Sequence, residues 1–183
     1  MSTPAPFLIR DGLETDIPSA LALDHSYETD SVWQMTIRQE EGWLISFRRE
    51  RLPRQIEVTH EADEKRLRSM LPGNQCFLVA TRRNDASLIG YLTMRRDYIN
   101  QIGLISDLVV ARPYRRTGIA ARLVTIAGVW AKEHDLTRLI IETQTKNYPS
   151  IQFCQQVGFA FCGYNDQQFR NRDIAVYFSQ SLR

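Results

Sequence analysis

A strand, a polar loop and an amphipathic helix follow one another in the middle of this chain and limit the folds open to it. Gly103 to Val110 is rich in Ile, Leu and Val, as in a buried strand. Residues 112–118 (Arg-Pro-Tyr-Arg-Arg-Thr-Gly) are polar and contain proline and glycine, which mark a connection. Apolar residues then recur at helical spacing: Ile119, Leu123, Ile126 and Trp130. The segment therefore predicts a strand–loop–helix unit with one helix face packed on a sheet.

The remaining hydrophobic pattern predicts strands and shorter helices on both sides of this unit. Thr15-Asp16-Ile17-Pro18 indicates a helix start, because a capping residue is followed by proline in the first turn. Alternating apolar residues within 31–58 predict a hairpin. We further expect strands at Phe7–Arg10, Cys76–Thr81, Leu88–Met94, Leu136–Thr143, Phe159–Tyr164 and Ile174–Phe178, and helices at Glu61–Leu71 and Pro149–Val157. This order is not a regular strand–helix repeat, which favours a mixed α/β sheet over a doubly wound fold.

Composition agrees with one globular domain. The 183 residues are 43% apolar and 24% charged. No apolar run approaches the roughly 18 residues of a membrane helix, and the first six residues lack the basic start and apolar core of a signal peptide. The cysteines are odd in number and form no Cys-x-x-Cys pair: Cys76, Cys154 and Cys162. We therefore expect a cytoplasmic protein with reduced thiols and no metal site.

The charges divide unevenly along the sequence. Residues 1–64 carry 13 acidic and 6 basic side chains, whereas residues 65–183 carry 8 acidic and 17 basic ones. This asymmetry predicts partners of opposite charge, with scattered solvated charge as the alternative. Arginine pairs lie on different predicted elements with no aromatic stacking platform between them, and the net charge is only +2. We therefore expect neither a nucleic-acid nor a membrane partner.

The loop at 112–118 has the chemistry of an anion site. The first N–H groups of a helix lack internal partners and lie at the positive end of the helix dipole. Gly118 and Ala120 allow close approach to the backbone, and Arg115 and Arg116 add positive charge. Such a site suits a phosphate or pyrophosphate. The sequence contains neither the GxxxxGK of a nucleoside-triphosphate loop nor the GxGxxG of a dinucleotide loop.

Two motifs here resemble signatures of the GNAT superfamily of N-acetyltransferases. Arg115-x-x-Gly118-x-Ala120 resembles the loop that binds the acyl-CoA pyrophosphate in that family. Residues 147–159 (Asn-Tyr-Pro-Ser-Ile-Gln-Phe-Cys-Gln-Gln-Val-Gly-Phe) resemble the second signature, Asn-x-x-Ala-x-x-Phe-Tyr-x-x-x-Gly-Phe. Residues 106–110 (Ser-Asp-Leu-Val-Val) and 140–144 (Ile-Ile-Glu-Thr-Gln) are similar to the streptothricin-acetyltransferase branch.

The resemblance implies a fold and a division of the chain. The fold class would be α/β (α+β), a single domain over residues 1–183 with a mixed, mostly antiparallel central sheet of six to seven strands flanked by helices. Residues 76–163 would form the cofactor-binding core, and segments within 1–75 would contact the acceptor. A homodimer is common in the family, and nothing in this sequence requires one.

The resemblance also implies an acetyl-CoA site. The backbone of the central strand would bind the pantetheine arm as an added strand does, and the loop would bind the pyrophosphate. Asn147 matches a polar contact to the cofactor, although asparagine there also suits a helix N-cap. The expected cofactor-binding residues are Leu108, Val109, Val110, Arg115, Arg116, Thr117, Gly118, Ile119, Ala120, Asn147, Ser150 and Phe153.

Transfer to an amine requires proton handling, because a primary amine has a pKa near ~10 and is protonated at neutral pH. We expect Asp107 to act as the base, with a purely structural carboxylate as the alternative. Glu142 is a second candidate, and Ser106 stands where the streptothricin branch carries glutamate. Cys154 stands at the position of the family's tyrosine acid, where it either donates a proton or packs as a small apolar side chain.

Acidic and aromatic residues near the N-terminus indicate a cationic acceptor. The candidate acceptor-binding residues are Tyr27, Glu28, Asp30 and Trp33, with ordinary core and surface roles as the alternative. We predict direct transfer of acetyl from acetyl-CoA, in a ternary complex, to a primary amine on a small molecule or a protein. The other interpretation is a non-catalytic acyl-CoA sensor, which the departures at Ser106 and Cys154 favour.

Overall fold

The computed structural model describes residues 6–71, 73–169 and 171–183. Its strands are β1 (Phe7–Asp11), β2 (Tyr27–Gln39), β3 (Trp43–Val58), β4 (Cys76–Arg82), β5 (Leu88–Asp97), β6 (Ile102–Val110), β7 (Arg138–Gln144), β8 (Ala160–Asn165) and β9 (Ala175–Ser181). Its helices are α1 (Ile17–Leu21), α2 (Glu64–Ser69), α3 (Ile119–Glu133) and α4 (Tyr148–Gln156), with short 3-10 turns at Glu14–Asp16 and Arg112–Tyr114.

The predicted fold class is confirmed: the chain forms an α/β fold with a mostly antiparallel seven-stranded sheet flanked by helices. The helix predicted over 61–71 is shorter, because the Asp63 side chain accepts from the N–H of Arg66 and caps a helix that begins at Glu64. Within the described ranges, no helix combines the length and apolarity that a membrane span requires. The chain divides into two compact units.

The first unit comprises the described residues up to His25, residues His60–Ile141 and Gln180–Arg183. Its strands lie in the order β1-β4-β5-β6-β7. All neighbouring pairs in this series are antiparallel except β6 and β7, which are parallel. The helix α3 connects β6 to β7 and provides the crossover connection that two parallel strands need.

Both faces of the sheet in the first unit are covered. Val79 and Tyr91 are almost fully buried in a cluster with Ile17 of α1 and Leu67 of α2. Because side chains alternate along a strand, Cys76, Leu78 and Ala80 point to the opposite face, and they are buried as well. The helix α3 packs against β4, β5 and β6. Coverage of both faces explains why these strands read as nearly continuous apolar runs.

The helix α3 confirms the predicted amphipathic segment but buries a slightly different stripe. Ile119 and Leu123 are buried as expected, whereas Ile126 and Trp130 are only half-buried. The rest of the buried face consists of Val124, Ala127, Gly128 and Ala131. The buried face therefore combines branched side chains in its first half with small ones in its second half, whereas Ile126 and Trp130 are half-buried at its edge. Apolar spacing alone did not distinguish the centre of the stripe from its edge.

The second unit comprises Ser26–Thr59 and Glu142–Ser179. The predicted hairpin is present as the antiparallel pair β2–β3, and strands β8 and β9 also pair antiparallel. The unit contains a cluster of four aromatic side chains, of which Phe178 is fully buried, two are half-buried and Phe161 is exposed. The ring centroids that are in contact lie 5.3 to 6.0 Å apart in this aromatic cluster of Trp33, Phe47, Phe161 and Phe178. Tilted and edge contacts at these distances are the favoured geometries of aromatic pairs.

An ion pair joins β1 to the start of α1. The Arg10 guanidinium donates to both carboxylate oxygens of Asp16 at 2.6 and 2.8 Å, and the N–H of Leu13 donates to the same side chain at 2.8 Å. The hydrogen bond from Arg10 holds the pKa of Asp16 below its ordinary value. Asp16 therefore stabilises the fold above the carboxyl's unfolded pKa of about 3.9, and this stabilisation is lost as pH falls through the folded pKa.

Replacing this carboxylate should weaken the fold in a pH-dependent way. We expect Asp16→Asn to lower the free energy of unfolding at pH 7 by about 1 kcal/mol, a modest value because Arg10 is partly exposed. Urea unfolding at pH 7 and pH 3 measures the effect. The exposed Glu41→Gln is the control. An Asp16→Asn deficit that is as large at pH 3 as at pH 7 would contradict the ion-pair interpretation.

Candidate active site

The loop before α3 leaves several N–H groups without backbone partners. Gly118 is the N-cap of α3 with φ +89°, and the first helical hydrogen bond runs from the N–H of Arg122 to the Gly118 carbonyl at 3.0 Å. Within the described part of the chain, no backbone carbonyl accepts from the N–H groups of residues 117–121. These donors lie at the positive end of the α3 dipole, where an anion is stabilised.

The space in front of these donors is open. A Cβ placed on Gly118 would meet no atom within 4 Å, so the positive φ, not crowding by the chain, is what requires glycine here. Arg116 also has a positive φ, +63°. Backbone of alternating handedness turns successive N–H groups toward one concavity, which is the geometry of an anion nest. The loop thus fits the phosphate or pyrophosphate that the sequence predicted.

Arg115 and Arg112 hold the loop in shape. The Arg115 guanidinium donates to the carbonyls of Val110 at 2.9 Å and Asp24 at 2.8 Å. Arg112 forms an ion pair of 2.9 Å with the Asp24 carboxylate. The side chain of Arg115 therefore links β6 to the segment after α1, a structural role that the sequence did not reveal.

The end of β6 presents backbone groups for a strand-like ligand. Ile102–Ile105 pair with Arg138–Ile141 of β7, whereas β6 continues to Val110. Within the described residues of the first unit, the backbone pairing of residues 106–110 is with β5. Leu108, Val109 and Val110 lie on this stretch, directly before the loop. The geometry therefore suits the backbone contacts that the resemblance assigned to these residues.

Asp107 lies next to a β-bulge in β6. Thr93 of β5 pairs with Asp107 and Met94 pairs with Ile105, so Ser106 is the extra residue. The Asp107 side chain is 8% exposed. One of its oxygens accepts from Arg66 at 2.5 Å and the other from the Thr93 hydroxyl at 2.6 Å. The bulge thus places a carboxylate, held by two donors, just before the stretch with the open edge.

Sequence reasoning missed Arg66 and Thr93. Arg66 lies on α2, far from Asp107 in sequence, and nothing in its local pattern indicates a partner. Thr93 does carry a signal, because it is a hydroxyl-bearing residue in a strand that is otherwise mostly apolar. It is fully buried, and a buried polar side chain needs a hydrogen-bond partner.

His25 and Tyr91 form a second polar pair near Asp107. The Nε2 atom of His25 lies 2.9 Å from the Tyr91 hydroxyl, and Nδ1 lies 2.7 Å from the Leu23 carbonyl. Because a carbonyl only accepts, Nδ1 carries a proton. Burial raises the pKa of Tyr91, and the negative charge of Asp107 raises it further against the opposing charge of Arg66. Tyr91 is therefore a neutral hydroxyl that lies within the field of Asp107.

The second unit contains the other predicted cofactor and acid residues. The Asn147 side chain accepts from the N–H of Ser150 at 3.1 Å, so it caps α4, and Phe153 lies on the same helix. Cys154 is completely buried. Burial raises the pKa of its thiol to about 12, partly offset by a hydrogen bond with Ser150. An enclosed thiol that resists ionisation favours the packing role over proton donation.

Glu142 also lies in the second unit, where two side chains engage it. Gln168 donates to its carboxylate at 3.0 Å. Tyr177 donates a second hydrogen bond, and burial together with the charge of Glu142 raises the pKa of the Tyr177 hydroxyl to about 12. Glu142 is therefore a carboxylate fixed on β7 by neighbours on β9 and in the segment after β8.

The acceptor candidates lie along β2 in the same unit. Tyr27 is buried, and burial raises the pKa of its hydroxyl. Trp33 packs into the aromatic core. Glu28 and Asp30 are exposed: Glu28 accepts from Gln55 at 2.5 Å, and Asp30 lies 4.0 Å from Arg51. The two acids offer surface charge, whereas Tyr27 is a core residue and Trp33 is half-buried in ring contacts.

The three thiols should differ sharply in reactivity. Cys76 and Cys154 are buried, with pKa values raised to about 12, whereas Cys162 is exposed. We expect iodoacetamide at pH 8 to alkylate Cys162 in the folded protein, and all three cysteines in urea, because the thiolate is the reactive form. Peptide mass spectrometry locates the label. Labelling of Cys154 at the rate of Cys162 in the folded protein would contradict its enclosure.

Comparison with known sequences agrees with the motifs. The model of the acetyltransferase (GNAT) family matches residues 33–159. Streptothricin acetyltransferase A of Bacillus subtilis (strain 168) is 29% identical over 110 residues, which cover 58% of this chain and 61% of that protein. A streptothricin acetyltransferase of Streptomyces lavendulae is 31% identical over 99 residues, 52% of each chain. The match thus spans about half to three fifths of the length of these curated relatives.

Solved structures share the fold at low sequence identity. The crystal structure of nourseothricin acetyltransferase has a TM-score of 0.85 at 22% identity, over 98% of this chain and 100% of that chain. A Bacillus anthracis str. Ames protein, assigned as a streptothricin acetyltransferase and solved with acetyl coenzyme A, has a TM-score of 0.78 at 22% identity, over 96% and 98%. Since the family model also covers more than half of its residues, this chain belongs to the acetyltransferase (GNAT) family.

Proposed function

We propose that this chain transfers an acetyl group from acetyl-CoA to a primary amine of a cationic acceptor. The observation that carries the proposal is the set of unpartnered N–H groups before α3, directly after a strand whose last residues have an open edge. A ligand that joins a pyrophosphate to an extended arm needs both features side by side: donors for the pyrophosphate and a strand edge for the arm. The family membership and the streptothricin acetyltransferase relatives support the same activity.

The residues of the first unit fit the proposed co-substrate. The N–H groups of residues 117–121 would hold the pyrophosphate, and the backbone of Leu108, Val109 and Val110 would bind the pantetheine arm. Bound acetyl-CoA supplies an activated acetyl thioester. The part of the protein is to orient the arm and to remove a proton from the attacking amine.

Asp107 is the proposed base. Its carboxylate is nearly enclosed and already accepts from Arg66 and Thr93. Each carboxylate oxygen has two lone pairs, so Asp107 can accept one further hydrogen bond at each oxygen. An ammonium group would be attracted to this charge and deprotonated there, which frees the nitrogen lone pair for attack. Arg66 and Thr93 keep the carboxylate in one orientation.

The acceptor class follows from charge and from the relatives. The relatives are streptothricin acetyltransferases, and residues 1–64 of this chain carry an acidic excess that includes the exposed Glu28 and Asp30. Acidic surfaces accelerate the binding of cationic ligands. We therefore propose a polycationic amine, with streptothricin as the first compound to test. Cys154 takes a packing role in this proposal, because its thiol is enclosed.

Binding of acetyl-CoA should be visible as thermal stabilisation. At a hundred-fold excess over its dissociation constant, the ligand stabilises by about 2.7 kcal/mol, which raises Tm by several degrees. We expect Gly118→Val to reduce this shift, because a β-branched side chain opposes the positive φ that shapes the loop before α3. The control is Gly42→Val, at an equally open position. An unchanged shift in Gly118→Val, measured against its own ligand-free Tm, would contradict the site, and so would no shift of the unaltered protein.

Catalysis should depend on Asp107. We expect Asp107→Asn to lower kcat for thiol release from acetyl-CoA, with streptothricin as acceptor, by about a hundred-fold, since general bases contribute that much or more. The acetyl-CoA thermal shift should persist. Asp97→Asn, an exposed carboxylate at the end of β5, is the matched control. Full activity in Asp107→Asn would overturn its role.

A second candidate function is acyl-CoA sensing without transfer. The observation that favours it is the enclosed Cys154 at the position of the family's tyrosine acid. A thermal shift with acetyl-CoA, but no thiol release with streptothricin, spermidine or a lysine peptide, would establish sensing and overturn transfer to these amines.

A further inference from the structure

The β2–β3 hairpin ends in a run of large apolar side chains that face solvent. Trp43 is 69% exposed, Leu44 62% and Ile45 37%. Ile37, which pairs with Ile45, is 41% exposed. These side chains lie within residues 37–45, the hairpin tip. An apolar patch of this kind marks an interaction surface, because its removal from water is favourable.

Most of the exposed apolar side chains belong to one face of the hairpin. Residues directly opposite in an antiparallel pair point to the same face, and alternate residues along a strand share that face. Ile37 and Ile45, the central pair, therefore share a face with Trp43 and with the pair Met35 and Phe47. Phe47 packs in the aromatic cluster, where Met35 and Phe47 are half-buried. The same face thus continues as an exposed surface toward the turn.

Charges of opposite sign lie on the two sides of the central pair. Glu40 lies three positions beyond Ile37 toward the turn, and Arg48 lies three positions from Ile45 in the other direction. Glu41 and Arg49 repeat this relation one position further out. All four charged side chains are exposed. The hairpin is therefore acidic at its turn, apolar around the central pair and basic beyond it.

This order is complementary to itself when two hairpins lie antiparallel. A two-fold axis through the central pair places Trp43 of one copy over Phe47 of the other, because both lie two positions from the axis on opposite sides. The same operation brings Glu40 of one copy to the level of Arg48 of the other, at both ends of the contact. Apolar burial and charge attraction therefore both favour a second copy of this chain.

We propose that the hairpin tip is the interface of a reversible homodimer, in which two copies pack antiparallel through the apolar face. The inference is independent of the proposed acetyl transfer. A standard interface takes about 20–30 residues from each partner, more than the tip provides. We therefore expect a dimer that dissociates on dilution.

The acidic turn argues against a lipid surface as the occupant of this face. A hairpin that entered a membrane through Trp43 would carry Glu40 and Glu41 in with it, and anionic headgroups repel these charges. The arginines that would attract such headgroups lie further from the turn. A second copy satisfies both charge signs, whereas an anionic surface satisfies one.

Sedimentation velocity over a concentration series measures the association. We expect a monomer in dilute solution and the mass of two chains at high concentration. Trp43→Ala should raise the dissociation constant at least about ten-fold, because tryptophans near the centre of an interface carry much of the binding energy. The control is Ile99→Ala between β5 and β6, an even more exposed apolar side chain whose loss should change nothing. Thermal melting confirms that each variant is folded.

A charge exchange tests the antiparallel arrangement. Glu40→Arg and Arg48→Glu should each weaken self-association, because each places like charges opposite one another at both ends of the interface. An equimolar mixture of the two variants should form a heterodimer about as tight as the unaltered dimer, since opposite charges then face again at both ends. Arg48 is preferred to Arg49, because Arg49 also binds Ser31 and stacks on Tyr148.

Several outcomes would overturn the inference. A monomer at every concentration would do so, and so would a dimer that Trp43→Ala leaves intact. Failure of the mixed charge variants to associate, while the unaltered protein dimerises, would overturn the antiparallel arrangement.

Vesicles of phosphatidylglycerol and phosphatidylcholine test the lipid surface. Cosedimentation that Trp43→Ala abolishes, together with a monomer in solution, would replace the second copy by a membrane. Acetyl transfer is measured separately by thiol release, so failure of the dimer and failure of the proposed function are seen independently.

Discussion

The antiparallel pairing of β5 with β6 is the contact on which the candidate site depends. This one ladder places Thr93 opposite Asp107, inserts the bulge at Ser106 and leads Leu108–Val110 to the loop at 112–118. Within the described residues of the first unit, β6 pairs with β7 over its first four residues only, and its later residues pair with β5 alone. A shift of this register by one residue would move Asp107 to the opposite face of the sheet. The backbone pairing of β5 with β6 therefore determines which side chains face each other in the candidate site.

The polar groups around Asp107 show how a nearly buried carboxylate is accommodated in the fold. Removing a carboxylate from water is costly unless hydrogen bonds and a counter-charge replace the solvent. Thr93 supplies a neutral hydrogen bond from within the sheet, and Arg66 supplies the charge from a short helix above it. The Arg66 side chain remains 43% exposed, so the ion pair lies at the surface end of an otherwise apolar cluster. This position allows a carboxylate to be both fixed in orientation and close to an arriving cation.

The second unit relies on a different kind of interaction. Its aromatic cluster joins the β2–β3 hairpin to β8 and β9 through ring contacts of Trp33, Phe47, Phe161 and Phe178. An isolated two-stranded ribbon is only marginally stable in water, so these contacts hold the hairpin in place. Trp33 therefore has a packing role that is separate from the acceptor contact predicted for it. Glu142 is likewise held by Tyr177 and Gln168, a satisfied pair of hydrogen bonds that requires no ligand.

The sequence by itself determined the order of elements, the fold class and the position of the loop before α3. These features depend on local rules: alternation marks strands, apolar spacing marks α3, and a glycine with positive φ at 118 follows from the need for a left-handed residue before the helix. The element ends were less certain, as the shorter α2 shows, because capping by Asp63 competes with the apolar pattern.

Only the tertiary structure decided which polar residues meet. Arg66 and Asp107 are 41 positions apart, and His25 and Tyr91 are 66 positions apart. No periodicity links such pairs, because their contact depends on how α1 and α2 pack on the sheet. Arg115 shows the same limit, since its guanidinium is committed to two carbonyls that the sequence places far apart. Local patterns specify backbone geometry, whereas the partners of a buried charge depend on long-range packing.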